Sequence, residues 1–174
     1  MSTIEQTEAV AHHLESLCNE VYATLGERHI TLTDNRATIA LHVMAREFGA
    51  LAESFRDLGP HRANAENKPS INGVIVKILN DAFDADESGA IVLYAMCVEI
   101  IPRFMISLRD VPELVNAQSG ARVIDRARRA SAVAMSQLHV ASELLRTRGN
   151  QEILMEPAAR YDQWLRDAGA DERF

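Results

Sequence analysis

Between residues 41 and 58 the apolar side chains fall at steps of three and four without a gap: Leu41, Met44, Phe48, Leu51, Phe55 and Leu58. On an α-helix these six lie along one side, whereas on a strand they would scatter over both faces of a sheet. A repeat averaging 3.5 residues also drifts slowly around a straight helix, so burying the whole stripe calls for a left-handed, near-antiparallel partner. The spacing therefore predicts a helix that pairs along its length. Thr33 and Asp34 offer N-caps for it, and Gly59-Pro60 an abrupt stop.

The same logic extends in both directions. A first helix is expected from Ser2 or Thr3 to Gly26, with acidic residues in its first turn, a glycine stop, and a stripe of Ala11, Leu14, Cys18, Val21 and Leu25. The short segment between these two helices suits a hairpin. His61 to Pro69 is polar and aperiodic and reads as a loop over 60–69, after which Ser70 can cap a helix running from Ile71 to about Phe83. The most apolar stretch, Ile91 to Leu108, approaches a membrane span in length. Glu99, Arg103 and Pro102 within it favour a central bundle helix instead, with a kink or break between Val98 and Pro102. Val111-Pro112 marks a further joint. Ser119-Gly120 opens a long helix ending at Gly149, whose inward face of Val123, Ala127, Ala130, Ala134, Leu138, Ala141 and Leu145 is rich in small residues. Pro157 suits the first turn of a short docking helix over 157–168, closed by Gly169. No run alternates with a period of two. The expected fold is all-α, a single-domain bundle of five to six helices spanning residues 1–174 and mostly antiparallel.

Composition agrees and narrows the function classes. Apolar residues make up 47% of the 174, charged residues 25% and aromatics only 5%, which suits close helix packing more than a β-sandwich. The formal net charge of −7 argues against a general nucleic-acid coat, since such binding needs many phosphates neutralised. Cys18 and Cys97 stand alone, without the spacing of a disulfide framework or zinc knuckle. The start of the chain lacks the basic end and apolar run of a secretory signal, so the expected compartment is the cytoplasm, with no membrane partner. The sequence contains no P-loop, dinucleotide fingerprint, nucleophile elbow, His-Glu-x-x-His or paired Glu-x-x-His motif, and no cofactor is expected.

Three groups of residues carry chemistry worth following. Asp84, Asp86 and Ser88, with Gly89 at a sharp turn and Ile91 inward, form a segment that resembles the first eight positions of an EF-hand calcium loop. That resemblance implies cation ligation by Asp84, Asp86 and Ser88. At the twelfth position Ala95 replaces the bidentate Glu, so too few protein oxygens remain for tight binding. The alternative is a polar interhelical turn with Ser88 as N-cap.

Arg36 and His42 reproduce an Arg-x5-His spacing, and this resembles the motif of HEPN ribonucleases, small helical bundles that often pair their motifs across a dimer. The resemblance implies a catalytic role for both residues, His42 assisting proton transfer and Arg36 stabilising phosphate charge. Six steps along a straight helix set the two side chains about 120° apart. A shared site therefore needs an irregular helix start or a second protomer.

Arg122, Arg126, Arg128 and Arg129 cluster where the long helix begins, a place where positive charge opposes the helix dipole. A bound phosphate, RNA or an acidic protein surface would each account for them; the alternative is a solvated face partly offset by Asp125. Glu99 and Arg103 are four apart in apolar surroundings and read as a structural ion pair. Finally, Tyr161, Trp164 and Leu165 form an apolar face on the last helix, and the expectation is a homodimer with these residues in the contact. Taken together, the residues point to a non-enzymatic interaction protein that self-associates and presents an Arg-rich face to a partner. The ribonuclease is the runner-up, and a degenerate EF-hand-like cation-binding protein the third reading.

Overall fold

The computed structural model describes residues 3–58, 71–147, 151–170 and 173–174. The expected stop at Gly59-Pro60, the loop over 60–69, the Ser70 cap and the end at Gly149 lie outside these. Among the described residues every regular element is helical. They form α1 (Thr3–Arg28), α2 (Asn35–Arg56), α3 (Ile71–Ala85), α4 (Ala90–Leu114), α5 (Ala121–Arg146) and α6 (Gln151–Asp167).

The hairpin of α1 and α2 is the most extensive pairing in the molecule. His29 meets His42, the Tyr22 ring lies on Gly49, and Arg56 donates to Glu15 at 2.8 Å. Each step of seven down α1 is matched by a step of seven up α2, the register of an antiparallel pair wound at 3.5 residues per turn. Gly49 sits where a side chain would press on the Tyr22 ring, since a Cβ there would lie 3.0 Å from it. Asp34 caps α2 as expected, accepting from the backbone N–H groups of Arg36 at 2.8 Å and Ala37 at 3.0 Å.

Gly26 does not end α1. The helix runs on to Arg28 and tightens into a 3-10 turn, His29–Thr31. Tertiary contacts hold the extra turn: Arg28 pairs with Asp84 and donates to Asn80 at 3.1 Å, both on α3. A left-handed glycine is used elsewhere. Gly89, at φ 78, opens α4, and Gly169, at φ 81, closes α6 as the spacing predicts. There the Ala170 N–H reaches back to the Leu165 carbonyl at 2.8 Å and the Gly169 N–H to that of Arg166 at 2.8 Å, which is the Schellman arrangement.

At the centre lies α4, long and apolar enough to cross a membrane, with 67% of its most apolar window buried against the other helices. Neither proline breaks it. Directly before Pro102 the winding widens to a π-helical stretch, Ala95–Ile100, and the helix then continues through Pro112 to Leu114. A proline ring collides with the carbonyl four residues back, here that of Val98, and the wide turn is where that conflict is absorbed.

The small-residue face of α5 is buried as expected at Val123, Ala127, Ala130, Ala134 and Ala141, while Leu138 and Leu145 are partly buried. The face packs on α4 and α2. Its close neighbours therefore belong to the same chain. Helix α6 begins at Gln151, six residues before the expected start, so Pro157 sits inside it and one backbone hydrogen bond is given up.

One defect interrupts the buried face of α5. Gln137 is 7% exposed, and its Oε1 has no hydrogen-bond partner among the described residues. An unmade buried bond costs roughly 1–3 kcal/mol. Gln137→Leu, of similar bulk, is therefore expected to raise stability by about 1 kcal/mol, read as a higher urea midpoint with an unchanged slope.

Candidate functional site

The helical spacing of α5 decides which arginines act together. Arg122, Arg126 and Arg129 follow one another at steps of four and three and share one side. Arg128 is turned roughly 100° from Arg129 and leaves that group. Arg122 and Arg129 are exposed and Arg126 is half-buried. Arg129 donates to Asp125 at 3.0 Å, whereas Arg122 and Arg126 have no ion-pair partner among the described residues. Gly120 caps the helix without a side-chain hydrogen bond, so nothing acidic screens the first turn. Two guanidinium groups thus stand at the positive end of a helix dipole.

Helix α2 is regular from its first turn, so Arg36 and His42 remain on different sides of it, both exposed. One chain does not bring them together. His42 instead has a partner that the spacing did not suggest. Its Nδ1 lies 3.2 Å from Nε2 of His29, which is only 9% exposed, and His29 Nδ1 lies 2.9 Å from the Leu25 carbonyl. A carbonyl can only accept, so His29 carries its proton on Nδ1. In the neutral pair its Nε2 then accepts from His42 Nδ1–H, leaving His42 Nε2 as the outward acceptor.

In the 84–91 segment protein donors already hold both Asp84 and Asp86. Asp84 pairs with Arg28. Asp86 accepts from Ser88 N–H at 2.9 Å, Ser88 Oγ at 2.7 Å and Ala90 N–H at 2.7 Å, with Ile91 N–H at 3.3 Å. Burial alone would raise its pKa, but these donors together hold the carboxyl below its ordinary range. Asp86, two residues ahead of the expected Ser88, is the principal cap of α4. The arrangement serves a helix start.

Helix α6 finds its partners within the chain. Tyr161 and Leu165 are fully buried, and Tyr161 Oη donates to Asp81 on α3 at 2.7 Å. Burial, with Asp81 adding to it, pushes the phenol pKa up. Trp164 is half-buried, and Lys77 Nζ sits 3.6 Å above its ring. Of the three residues expected in a dimer contact, two are thus covered by their own chain, and another copy could reach them only if α6 moved. Cys18 is likewise buried, which pushes its thiol pKa up and leaves it inert.

Glu99 and Arg103 pair as the spacing predicts, with Nη1 to Oε2 at 2.6 Å, and the pair is part of a larger network. Arg103 also donates to Asp162 at 2.7 Å and to the Ala170 carbonyl at 3.1 Å, joining α4 to α6 and the turn after it. Asp162 and Ala170 are 59 and 67 residues away in the chain, beyond the reach of any spacing rule. Set against this geometry, no family model, no curated protein and no solved structure matches the chain.

Burial holds the Glu99 carboxyl above its ordinary range, with the Arg103 hydrogen bond pulling the other way. A raised carboxyl supports the fold most below its unfolded pKa, and that support is lost as pH rises through the folded value. Removing the opposing arginine should extend this window upward. Arg103→Met is expected to lose about 3–5 kcal/mol at pH 7 and distinctly less at pH 5. Adding Glu99→Leu should recover much of the loss, with urea unfolding at both pH values as the measurement.

Proposed function

We propose that this chain is a non-enzymatic binding protein that uses the start of α5 to hold an acidic partner. The observation that carries the reading is the pair of unneutralised guanidinium groups, Arg122 and Arg126, on a chain whose net charge is −7. Arg129, Arg146 and Arg166 on α5 and α6 instead pair locally, with Asp125, Glu143 and Asp162, and Arg128 stands apart on another side of α5. An acidic protein surface is a better partner than RNA, because it can offer a few carboxylates to the patch alone, whereas a polyphosphate carries its charge past the patch along a strongly anionic chain.

Self-association belongs to the same reading, through a different surface from the one the spacing suggested. With Tyr161 and Leu165 covered, the exposed apolar pair on α2 is the better candidate: Ile39, 64% exposed, and Val43, 41% exposed, one turn apart on one side. Helix α5 packs beside α2 and exposes Met135. An isologous contact would bury such residues twice over.

Two measurements test the two halves. A labelled short peptide carrying a few glutamates among neutral residues, at low salt, should bind with a Kd that rises at least tenfold in Arg122→Glu/Arg126→Glu and much less in Arg128→Glu. Equal binding by all three proteins would remove the patch from consideration. Light scattering at about 100 μM should report a dimer that Ile39→Asp/Val43→Asp converts to monomer. A monomeric parent protein would end the self-association half alone.

A further inference from the structure

A pocket of about 320 Å³ opens between the first half of α1 and the last turns of α4, and residues 173–174 close its third side. Its walls are apolar where Val10, Leu14, Val111 and Leu114 meet, with Ala9 at the rim. The volume falls at the lower end of the range for small-molecule sites, roughly 300–1,000 Å³. The closing segment is pinned from both ends. The Phe174 N–H donates to Ser107 Oγ at 2.9 Å, and Arg173 donates to Asp110 at 2.9 Å.

The polar groups of the pocket state what an occupant must offer. Asp110 accepts from Arg109 at 2.9 Å as well as from Arg173, and these two hydrogen bonds keep its carboxyl below its ordinary range. The lining charges are thereby answered by one another. His13 behaves differently. Burial lowers its pKa, with His12 adding to the effect and a hydrogen bond to the Phe174 backbone opposing it. The ring is therefore neutral at pH 7. His13 and Gln6 form the polar edge of the apolar wall, and a neutral imidazole offers one ring nitrogen as an acceptor there.

From the apolar walls, the mutually answered charges and the polar edge of His13 and Gln6 we infer that the pocket binds a small uncharged amphiphile, an aliphatic alcohol or a molecule of similar size. Its hydroxyl donates to His13 while its chain lies between α1 and α4. A carboxylate would have to compete with Asp110 for Arg173, and an ammonium group would have to compete with Arg109 and Arg173 for Asp110. Both charged analogues would also lose hydration that the apolar walls do not replace.

Titration calorimetry at pH 7.5 with 1-octanol, octanoate and octylamine tests this directly. Saturable one-site binding of 1-octanol is expected, with the two charged analogues at least tenfold weaker. Ala9→Phe, at an exposed position of α1, should weaken octanol binding at least tenfold while leaving the thermal transition in place. His13→Leu should lower octanol affinity several-fold. Octanoate binding as tightly as octanol would overturn the inference, since recognition would then rest on Arg173. Octanol binding unchanged in Ala9→Phe, or none up to the solubility limit, would overturn it as well.

Discussion

A guanidinium group cannot shed its charge, so a buried one dictates what surrounds it. Arg103, 7% exposed on the central helix, meets that demand with Glu99 on its own helix, Asp162 on α6 and the Ala170 carbonyl of the turn beyond. This ties together parts of the chain that local rules treat separately. It explains why the Schellman turn at Gly169 matters beyond ending a helix, since that turn carries the Ala170 carbonyl to Arg103. It also explains why α6 lies against the bundle and hides Tyr161 and Leu165. Helix α6 is anchored a second time on α3, where both Arg160, at 2.6 Å, and Tyr161 reach Asp81.

The other organising element needs almost no charge. In the α1–α2 hairpin a seven-residue step recurs on both helices, so each contact is a translated copy of the one before, with different side chains. Two imidazoles occupy one level, an aromatic ring on a glycine the next, and an ion pair the third. The register is carried by the apolar stripes between these levels, which leaves the surface positions free to vary. Such a scaffold can expose Ile39 and Val43 on one side and His42 on another without weakening its own core.

How much of this was legible depended on whether the deciding interaction was local. The stripe from Leu41 to Leu58, the Asp34 cap and the Gly169 stop follow from residues within a few positions of one another, and they were readable. Gly26 failed as a stop because Arg28 is held by residues more than fifty positions away, which no cap rule senses. Pro112 and Pro157 suggest a joint and a helix start, yet both lie inside helices whose packing outweighs one lost hydrogen bond, while the irregularity expected ahead of Pro102 takes the form of a π-helical stretch and not a break. The Arg-rich start of α5 was visible as a cluster, but helical geometry divides it and sets Arg128 apart. His29 carries no signal of its own as a lone histidine after a helix; its link to His42 exists only because the hairpin closes.

The π-helical stretch ahead of Pro102 has a consequence for how this chain can change over time. An extra residue in a helical turn acts as a phase shift, rotating everything after it by about 100° relative to regular winding. The two halves of α4 are therefore keyed to different neighbours. Ile91 to Met96 are set for the apolar interior, while Arg103 and Ser107 are set for α6 and the segment that ends at Phe174. Substitutions other than at Pro102, whose ring the wide turn accommodates, leave that phase intact. A one-residue deletion between Ala95 and Ile100 would not, for it would swing Arg103 away from Asp162 and turn an apolar side chain toward it. Helix α4 can thus drift in composition but not in length, and relatives of this chain should be sought by a conserved residue count between Gly89 and Arg103.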